Sequence, residues 1–213
     1  MNQDWRAWHD AYDDPNSSLA RRLRVVQARV AEWLDAAPPR PLRVISVCAG
    51  QGRDLIGVLR THPRRRDVTA RLVELDPRNA AAARHLVAEA GLPDVSVVVG
   101  DAGVADAYAG MTPADLVLAC GVFGNITEAD IKRTIGWCTQ LCATGGSVVW
   151  TRRRSAPDLV PRICRWFEEH EFELTWVSAP DQPFGVGVHH FTGGQQPLAP
   201  GTRMFAFVDG EGR

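Results

Sequence analysis

One stretch decides the fold class of this 213-residue chain: Val44-Ile45-Ser46-Val47-Cys48-Ala49-Gly50-Gln51-Gly52-Arg53-Asp54. An apolar run leads into a turn that contains two glycines, and a helix is predicted to begin at Gln51. Glycines in such a turn let the backbone approach a ligand closely, and the unpaired N–H groups of the helix N-terminus can face an anionic part of it. A tight turn in an α/β protein without a ligand gives the same pattern, so both interpretations stand at this point.

Outward from this stretch, short apolar runs alternate with helical patterns. The predicted strands are Leu42–Val47, Ala70–Leu75, Val95–Val99, Ala114–Ala119 and Ser147–Trp150, and the predicted helices between them are Gln51–Arg60, Pro77–Ala90 and Ala129–Cys142. This alternation is typical of parallel strands that are joined by right-handed crossovers. The strands are rich in Val, Leu and Ile throughout, as expected where helices cover both faces of the sheet.

The two ends of the chain add further elements. Before the first strand, a helix is predicted with N-cap residues in Asn16-Ser17-Ser18 and an apolar stripe from Leu19 to Leu34, and the Pro38-Pro39 pair ends it. After residue 155 the pattern predicts a helix over Pro157–His170, a strand over Phe172–Val177 and then a glycine-punctuated segment. The last apolar run, Arg203–Val208, follows without a crossover helix, so we predict that it pairs antiparallel to its neighbour.

Composition indicates one globular domain over residues 1–213. The chain is 45% hydrophobic and 23% charged, with a net charge of −1, which disfavours disorder and a dedicated nucleic-acid binder. No apolar run is long enough to cross a bilayer, and the acidic N-terminus is unlike a signal peptide, so we expect a cytoplasmic protein. The odd number of cysteines, five, disfavours disulfides and a zinc site.

Acidic residues stand at the ends of the second and third predicted strands. Glu74 follows the glycine turn by roughly 20 residues, a position where an acid can accept both hydroxyls of a ribose. Asp76-Pro77 is interpreted instead as the cap and first position of the next helix. Asp101 follows the third strand, where it can hold the amino group of an adenine.

Together these elements resemble the nucleotide-binding half of the class I S-adenosylmethionine-dependent methyltransferases, over residues 42–151. The family's motifs are matched by Cys48, Ala49, Gly50 and Gly52 in the glycine loop, by Glu74 and Leu75 at the ribose, by Asp101 and Ala102 at the adenine, and by Cys120 and Gly121 beside the sulfonium. The sequence departs from the family at Ser46, where many members have an acid, and at Cys48, which replaces the usual first glycine.

The resemblance implies an α/β, Rossmann-like fold. Its seven-stranded, mostly parallel sheet has the order 3-2-1-4-5-7-6, with strand 7 antiparallel and helices on both faces. It also divides the domain into an N-terminal helical cap or lid (1–40), a cofactor-binding half (41–155) and C-terminal substrate-side elements (156–213). The implied cofactor is S-adenosylmethionine, and the implied product is S-adenosylhomocysteine.

Two rival nucleotide sites fit the sequence less well. A nicotinamide site needs a third glycine for close helix–sheet packing, and Leu55 follows Asp54 instead. A phosphate-binding P-loop needs a lysine after its glycines, whereas Lys132 is the only lysine and lies far from the loop.

Substrate contacts are predicted at three places. Arg152 follows the fifth strand at the carboxyl edge of the sheet, where it can hold a carboxylate or phosphate, although arginine runs also arise by chance in this arginine-rich chain. Asn125 can orient a substrate or cap the residues after it. Tyr12, together with Trp5 and Trp8, can form a lid or anchor its segment to the core. Arg22 or Arg24 can reach the methionine carboxylate.

His189 and His190 are the candidates for a catalytic base. They lie in the glycine-punctuated segment, where the resembling family often builds its substrate wall, and a histidine has a pKa near working pH. The alternative is that they are strand residues with alternating orientation, at least one of them structural.

The sequence predicts methyl transfer from S-adenosylmethionine to a small-molecule acceptor by direct displacement. The resemblance favours a metal-independent enzyme, since Ala119 and Cys120 hold the region where catechol-type members have acids, and it disfavours a nucleobase acceptor because the loop 120–125 lacks the [ND]-P-P-[YF] motif. No metal ligands, membrane contacts or nucleic-acid contacts are predicted, and no particular oligomeric state. The alternatives are a protein or RNA methyltransferase and a catalytically silent S-adenosylmethionine-binding regulator.

Overall fold

The computed structural model describes residues 12–208, in which seven strands form one sheet. The strands are β1 (Leu42–Val47), β2 (Val68–Glu74), β3 (Val95–Val99), β4 (Ala114–Ala119), β5 (Cys142–Arg153), β6 (Phe172–Val177) and β7 (Phe184–Phe191). The helices are α1 (Ser18–Ala36), α2 (Arg53–Leu59), α3 (Pro77–Glu89), α4 (Glu128–Leu141) and α5 (Val160–Glu168), with two short 3-10 turns at Arg65–Asp67 and Ala105–Tyr108.

The strand order is β3-β2-β1-β4-β5-β7-β6, which confirms the predicted topology. Strands β1 to β5 pair in parallel, and β7 runs antiparallel to both β5 and β6. The carboxyl ends of β1, β2, β3 and β4 therefore meet at one edge, on either side of the point where the chain reverses its direction of winding. In open α/β sheets this edge is where ligands bind.

Alternate residues of each strand bury on opposite faces of the sheet. In β1, Val44 packs in the core that α1, α2 and α3 cover, whereas Ile45 and Val47 pack in the core under α4 and α5. Helix α1 begins where the Ser17 Oγ accepts a hydrogen bond from Ala20 N at 2.9 Å. Its stripe of Val26, Val30 and Leu34 is buried, so residues 18–36 form part of the layer that covers the sheet.

The position of the antiparallel strand corrects the sequence interpretation. The seventh strand is Phe184–Phe191, the glycine-punctuated segment that was not predicted as a strand of the sheet, and not Arg203–Val208. Its glycines are required by close packing: a Cβ at Gly185 would lie 2.4 Å from Val160, and one at Gly187 would lie 2.4 Å from the Trp150 ring. Residues 201–208, here called the C-terminal segment, form no strand of this sheet, and their β-type pairing is confined to the isolated bridges Val104–Arg203 and Ile126–Phe207.

Several element boundaries also differ from the prediction. Helix α2 starts at Arg53 because Gly50 and Gly52 have φ angles of 56° and 67° and complete the turn before it. Helix α5 starts at Val160, whose N–H donates to Asp158 Oδ1 at 3.0 Å. Strand β5 begins at Cys142, earlier than the predicted Ser147, and β2 begins at Val68 and ends at Glu74.

Within residues 12–208, no helix has both the length and the apolar character that a membrane span requires. The cytoplasmic location stays a prediction. The five cysteines are all free thiols.

Candidate functional site

A pocket of about 310 Å³ opens at the carboxyl edge of the sheet. Its walls come from the start of α1, the loop after β1, the ends of β2, β3, β4 and β5, and the C-terminal segment. The structure brings together most of the residues predicted for cofactor binding: Cys48, Ala49, Gly50, Glu74, Leu75, Asp101, Ala102, Cys120 and Gly121. Tyr12 lines the same pocket, whereas Trp5 and Trp8 fall outside the described residues.

The glycine loop is held in a left-handed backbone conformation. Cys48 has a φ of 52° at the position where the resemblance places a glycine, a strained angle for a residue with a side chain. Gly52 does not line the pocket. A Cβ there would lie 2.5 Å from Leu72 Cδ2, so Gly52 lets the loop pack against β2. The loop is tied to β2 by Ala49 N, which donates to Val73 O at 2.9 Å.

Glu74 links the glycine loop to the end of β2. Its buried carboxylate accepts hydrogen bonds from Gly50 N and Asp76 N, both at 2.8 Å and one on each oxygen. An ionised carboxylate offers about four acceptor sites, so these bonds leave each oxygen able to accept another. The adjacent Leu75 is 62% exposed and gives the wall an apolar surface.

Asp101 lies at the end of β3 and contacts the C-terminal segment. Its Oδ1 accepts from Gly103 N at 2.8 Å, and its Oδ2 lies 2.8 Å from Arg203 Nη1. Phe207 follows in the same segment and contributes its ring to the pocket wall. The segment predicted as the last strand therefore closes one side of the candidate site.

Asn79, on the first turn of α3, is a site residue that the sequence interpretation missed. The side chain is 1% exposed and lines the pocket, and neither its Oδ1 nor its Nδ2 has a hydrogen-bond partner among residues 12–208. Leaving a buried polar group unpaired costs about 1–3 kcal/mol. A ligand in the pocket can supply the missing partners, and the only sequence signal was the position of Asn79 just after Glu74 and the Asp76 cap.

Charged groups of opposite sign face each other at the other end of the pocket. Asp54 is buried at the start of α2, and this burial raises the pKa of its carboxyl, while the positive charge of Arg22 opposes the shift. Arg22 Nη2 donates to the Tyr12 hydroxyl at 3.3 Å. A carboxylate and a guanidinium at one end of a pocket suit a zwitterionic amino acid group. Arg24, the other candidate for that role, instead donates to Pro15 O.

The Cys120 thiol donates to Val149 O at 4.0 Å. Burial raises the pKa of this thiol well above its usual value, and the Asp54 charge raises it further. Cys48 also has a raised pKa because of burial, followed by the charges of Glu74 and Asp101. Both thiols at the pocket are therefore protonated at neutral pH, which makes them poor nucleophiles.

The structure corrects the prediction for Arg152. Neighbouring strand residues point to opposite faces, and it is Thr151 that lines the pocket, with its Oγ1 accepting from Gly121 N at 2.8 Å. Arg152 points away and donates to Phe123 O. Asn125 lies beside the pocket, where its Nδ2 donates to Gly121 O at 2.6 Å and its carbonyl accepts from Val208 N at 3.0 Å. This bonding holds the loop after β4 against the C-terminal segment.

The two histidines lie away from the pocket, which corrects their prediction as a catalytic base. His189 pairs with Val148 of β5 and Leu174 of β6, is 0% exposed and stacks on the Phe167 ring at 4.3 Å between centroids. Its Nδ1 accepts from Trp150 Nε1 at 3.0 Å, and burial lowers its pKa to about 3. His190, the next residue of β7, pairs with Ser147 and Glu173. Both histidines are therefore strand residues, which was the alternative to a catalytic base.

Solved structures with the same fold include several methyltransferases. The chain is similar to an O-methyltransferase family protein from Burkholderia thailandensis, with a TM-score of 0.68 and 19% identity, over 90% of this chain and 61% of that one. It is also similar to magnesium protoporphyrin IX methyltransferase from Synechocystis PCC 6803, solved with bound S-adenosylmethionine, with a TM-score of 0.67 and 13% identity, over 89% and 92% of the two chains.

A third similar structure is the CurJ carbon methyltransferase, with a TM-score of 0.66 and 15% identity, over 80% of this chain and 54% of that one. The chain therefore spans little more than half the length of this protein, and about three fifths of the Burkholderia protein. No curated protein matches the sequence.

A family profile gives the assignment that these distant structures alone do not. The profile described as "Putative methyltransferase" matches residues 21–179, from the first third of α1 through the end of β6. This match covers most of the chain, including every strand whose end contributes to the pocket. The chain belongs to this methyltransferase family, and it has the class I fold.

Proposed function

We propose that the protein transfers the methyl group of S-adenosylmethionine to a small-molecule acceptor by direct displacement, without a metal ion. One observation carries the proposal: the same pocket is lined by Glu74, whose carboxylate has acceptor sites left over, and by Asn79, whose amide has no hydrogen-bond partner among residues 12–208. Both are buried polar groups that a ligand with hydroxyl and amino groups would satisfy. Structures with this fold include one solved with S-adenosylmethionine bound.

The pocket residues fit the parts of S-adenosylmethionine from end to end. Glu74 would accept the ribose hydroxyls, and Asp101 with Leu75 would hold the adenine. Arg22 and Asp54 would face the carboxylate and the ammonium of the methionine part. Between these ends, a Cβ added at Gly121 would meet open space, so the end of β4 leaves room at the position where the resemblance places the reacting group.

When bound, S-adenosylmethionine supplies an electrophilic methyl group. The acceptor's lone pair forms the new bond to this carbon as the carbon–sulfur bond breaks, and the bonding electrons leave on sulfur, which gives S-adenosylhomocysteine. The proton of a hydroxyl or amine acceptor passes to solvent. The residues of this chain contribute by holding the two reactants in line and by excluding water, and such positioning can supply several kcal/mol of the barrier.

A small acceptor and metal independence rest on the composition of the site. The side chains at the end of β4 are Ala119 and Cys120, neither of which is a carboxylate. The four pocket carboxylates each accept at least one hydrogen bond from a backbone N–H: Asp54 from Leu55, Glu74 from Gly50 and Asp76, Asp76 from Arg78, and Asp101 from Gly103. These bonds orient them as hydrogen-bonding groups. The net charge of −1 favours a small acceptor over RNA.

Calorimetric titration with S-adenosylmethionine and S-adenosylhomocysteine tests the proposal. We expect the wild-type protein to bind both, and Glu74→Ala to weaken binding roughly 10- to 100-fold because hydrogen bonds to a charged group contribute about 1.5–3 kcal/mol each. Glu89→Ala is the matched control, since Glu89 lies at the exposed end of α3 and pairs only with His85. Its affinity should equal that of the wild type.

Failure of the wild-type protein to bind either compound would overturn the proposal. Equal affinity of Glu74→Ala and the wild type would show that Glu74 does not hold the ribose. Binding followed by no S-adenosylhomocysteine formation with any acceptor would favour the alternative of a silent regulator.

A further inference from the structure

A second cavity, of about 390 Å³, adjoins the cofactor pocket. The two cavities share Arg22, Gly121 and Thr151 in their walls. Gly121 and Thr151 lie at the ends of β4 and β5, beside the place where the proposed function puts the reacting methyl group. A molecule in the second cavity would therefore have direct access to the contents of the first.

The wall of the second cavity combines apolar side chains with positive charge. Leu19 from α1, together with Pro183 and Phe184 at the start of β7, contributes the apolar part. Arg153, at the end of β5, lines the same cavity and is the strand partner of Phe184. No Asp or Glu contributes to the part of the wall that the structure describes.

Arg153 differs from its two arginine neighbours. Arg152 donates to Phe123 O, and Arg154 is paired with Asp158 and donates to Ser178 O. The side chain of Arg153 is exposed and has neither a hydrogen bond nor an ion pair with any of residues 12–208. Of the three consecutive arginines, the one that lines the cavity is thus the one whose guanidinium is available.

Resting on the proposed function, we propose that the methyl acceptor is an anionic small molecule with an apolar body, and that Arg153 pairs with its carboxylate or phosphate group. The apolar body would lie against Leu19 and Phe184. The nucleophilic atom, a group other than the anion, would reach the junction at Gly121 and Thr151. A guanidinium suits either anion because it can donate two parallel hydrogen bonds to one group.

The test uses three small probes that share a phenyl ring: benzoate, phenyl phosphate and the neutral benzamide, which matches benzoate in size. Each is titrated into the protein saturated with S-adenosylhomocysteine, and binding is followed by calorimetry or by ligand-observed NMR. We expect benzoate or phenyl phosphate to bind more tightly than benzamide, and the tighter of the two distinguishes a carboxylate from a phosphate acceptor. Arg153→Gln should weaken binding of the preferred anion roughly tenfold and leave benzamide unchanged.

Two further variants sharpen the result. Arg153→Lys retains the charge without the two-pronged geometry, so its affinity for the anion should fall between those of the wild type and Arg153→Gln. Arg165→Gln, on the exposed side of α5, removes one positive charge elsewhere and should leave all three affinities unchanged.

The outcomes separate this inference from the proposed function. Arg153 does not line the cofactor pocket, so Arg153→Gln should bind S-adenosylhomocysteine like the wild type. Equal binding of benzoate, phenyl phosphate and benzamide, no binding of any probe, or no effect of Arg153→Gln would overturn the anionic acceptor while leaving the cofactor assignment intact. If the wild-type protein does not bind S-adenosylhomocysteine, the proposed function itself is refuted.

Discussion

At the scale of single residues, the Asn79 amide lowers the stability of the unliganded protein and is expected to strengthen ligand binding. Its buried amide has no partner in the folded chain, which costs the unliganded protein about 1–3 kcal/mol. We predict that Asn79→Leu, a change of similar volume, raises the free energy of unfolding by about 1 kcal/mol and weakens S-adenosylmethionine binding roughly tenfold. Urea denaturation and calorimetric titration measure the two effects. A variant that is both less stable and equally tight in binding would contradict this role.

Prediction of single residues from the sequence worked where the position of a residue in the site follows from its place at the end of a strand. The glycine loop, Glu74 and Asp101 could be placed because each directly follows a strand, and parallel strands bring their carboxyl ends to one edge. Asn79 and Thr151 could not be found in this way, since their roles depend on which face of an element meets the pocket. The Arg152 prediction was off by one residue for that reason: the alternation along β5 gives Thr151 and Arg153 the side toward the cavities.

At the scale of elements, β7 contributes a neutral buried histidine to the core. Burial lowers the pKa of His189 from 6.5 to about 3, so below pH 6.5 the unfolded chain binds a proton that the folded chain does not. The contribution of neutral His189 to the free energy of unfolding is fully present above pH 6.5 and is lost as the pH falls toward 3. Between pH 7 and pH 5 the loss is about 2 kcal/mol.

The variant His189→Gln removes this titration and keeps an acceptor for Trp150 Nε1. We expect its free energy of unfolding to fall less between pH 7 and pH 5 than that of the wild type, by about 2 kcal/mol. The matched control is His85→Gln on the exposed surface of α3. Urea unfolding at both pH values gives the comparison, and parallel pH profiles of wild type and His189→Gln would show that His189 is charged or solvated in the folded state.

The position of β7 shows where element prediction from sequence failed. The alternation of apolar runs and helices predicted parallel strands, and the family resemblance implied the strand order, which was confirmed. The segment that contains Gly185 and Gly187 was not predicted as a strand, whereas its glycines make room for Val160 on α5 and for the Trp150 indole. Such close approaches depend on tertiary packing, which the local sequence does not report.

The C-terminal segment closes the pocket with an aromatic side chain. Phe207 is 39% exposed and lines the wall, so its ring is available to a ligand while its share in the core is limited. We predict that Phe207→Ala weakens binding of S-adenosylmethionine roughly tenfold, as expected for lost apolar contact, and lowers the free energy of unfolding by less than about 1 kcal/mol. Phe205→Ala, which removes a buried ring of the same segment, should instead destabilise the fold by about 3–5 kcal/mol.

At the scale of the whole molecule, the pocket joins the two cores that lie on either face of the sheet. Cys48 and Ala102 pack with the core under α4 and α5, whereas Val26, Ala49 and Cys120 pack with the core under α1 and α2. A ligand held by both groups is bound only while both cores are folded. Binding should therefore stabilise the molecule as one cooperative unit.

This coupling gives a prediction about thermal unfolding. With S-adenosylhomocysteine at about 100 times its Kd, the free energy of unfolding should rise by about 2.7 kcal/mol, and the Tm should rise by roughly 5–10 °C for a chain of this size. Glu74→Ala at the same ligand concentration should show a much smaller shift. A wild-type shift well below this range, at a Kd measured by calorimetry, would mean that the carboxyl edge unfolds before the sheet and that the two cores are not coupled through the pocket.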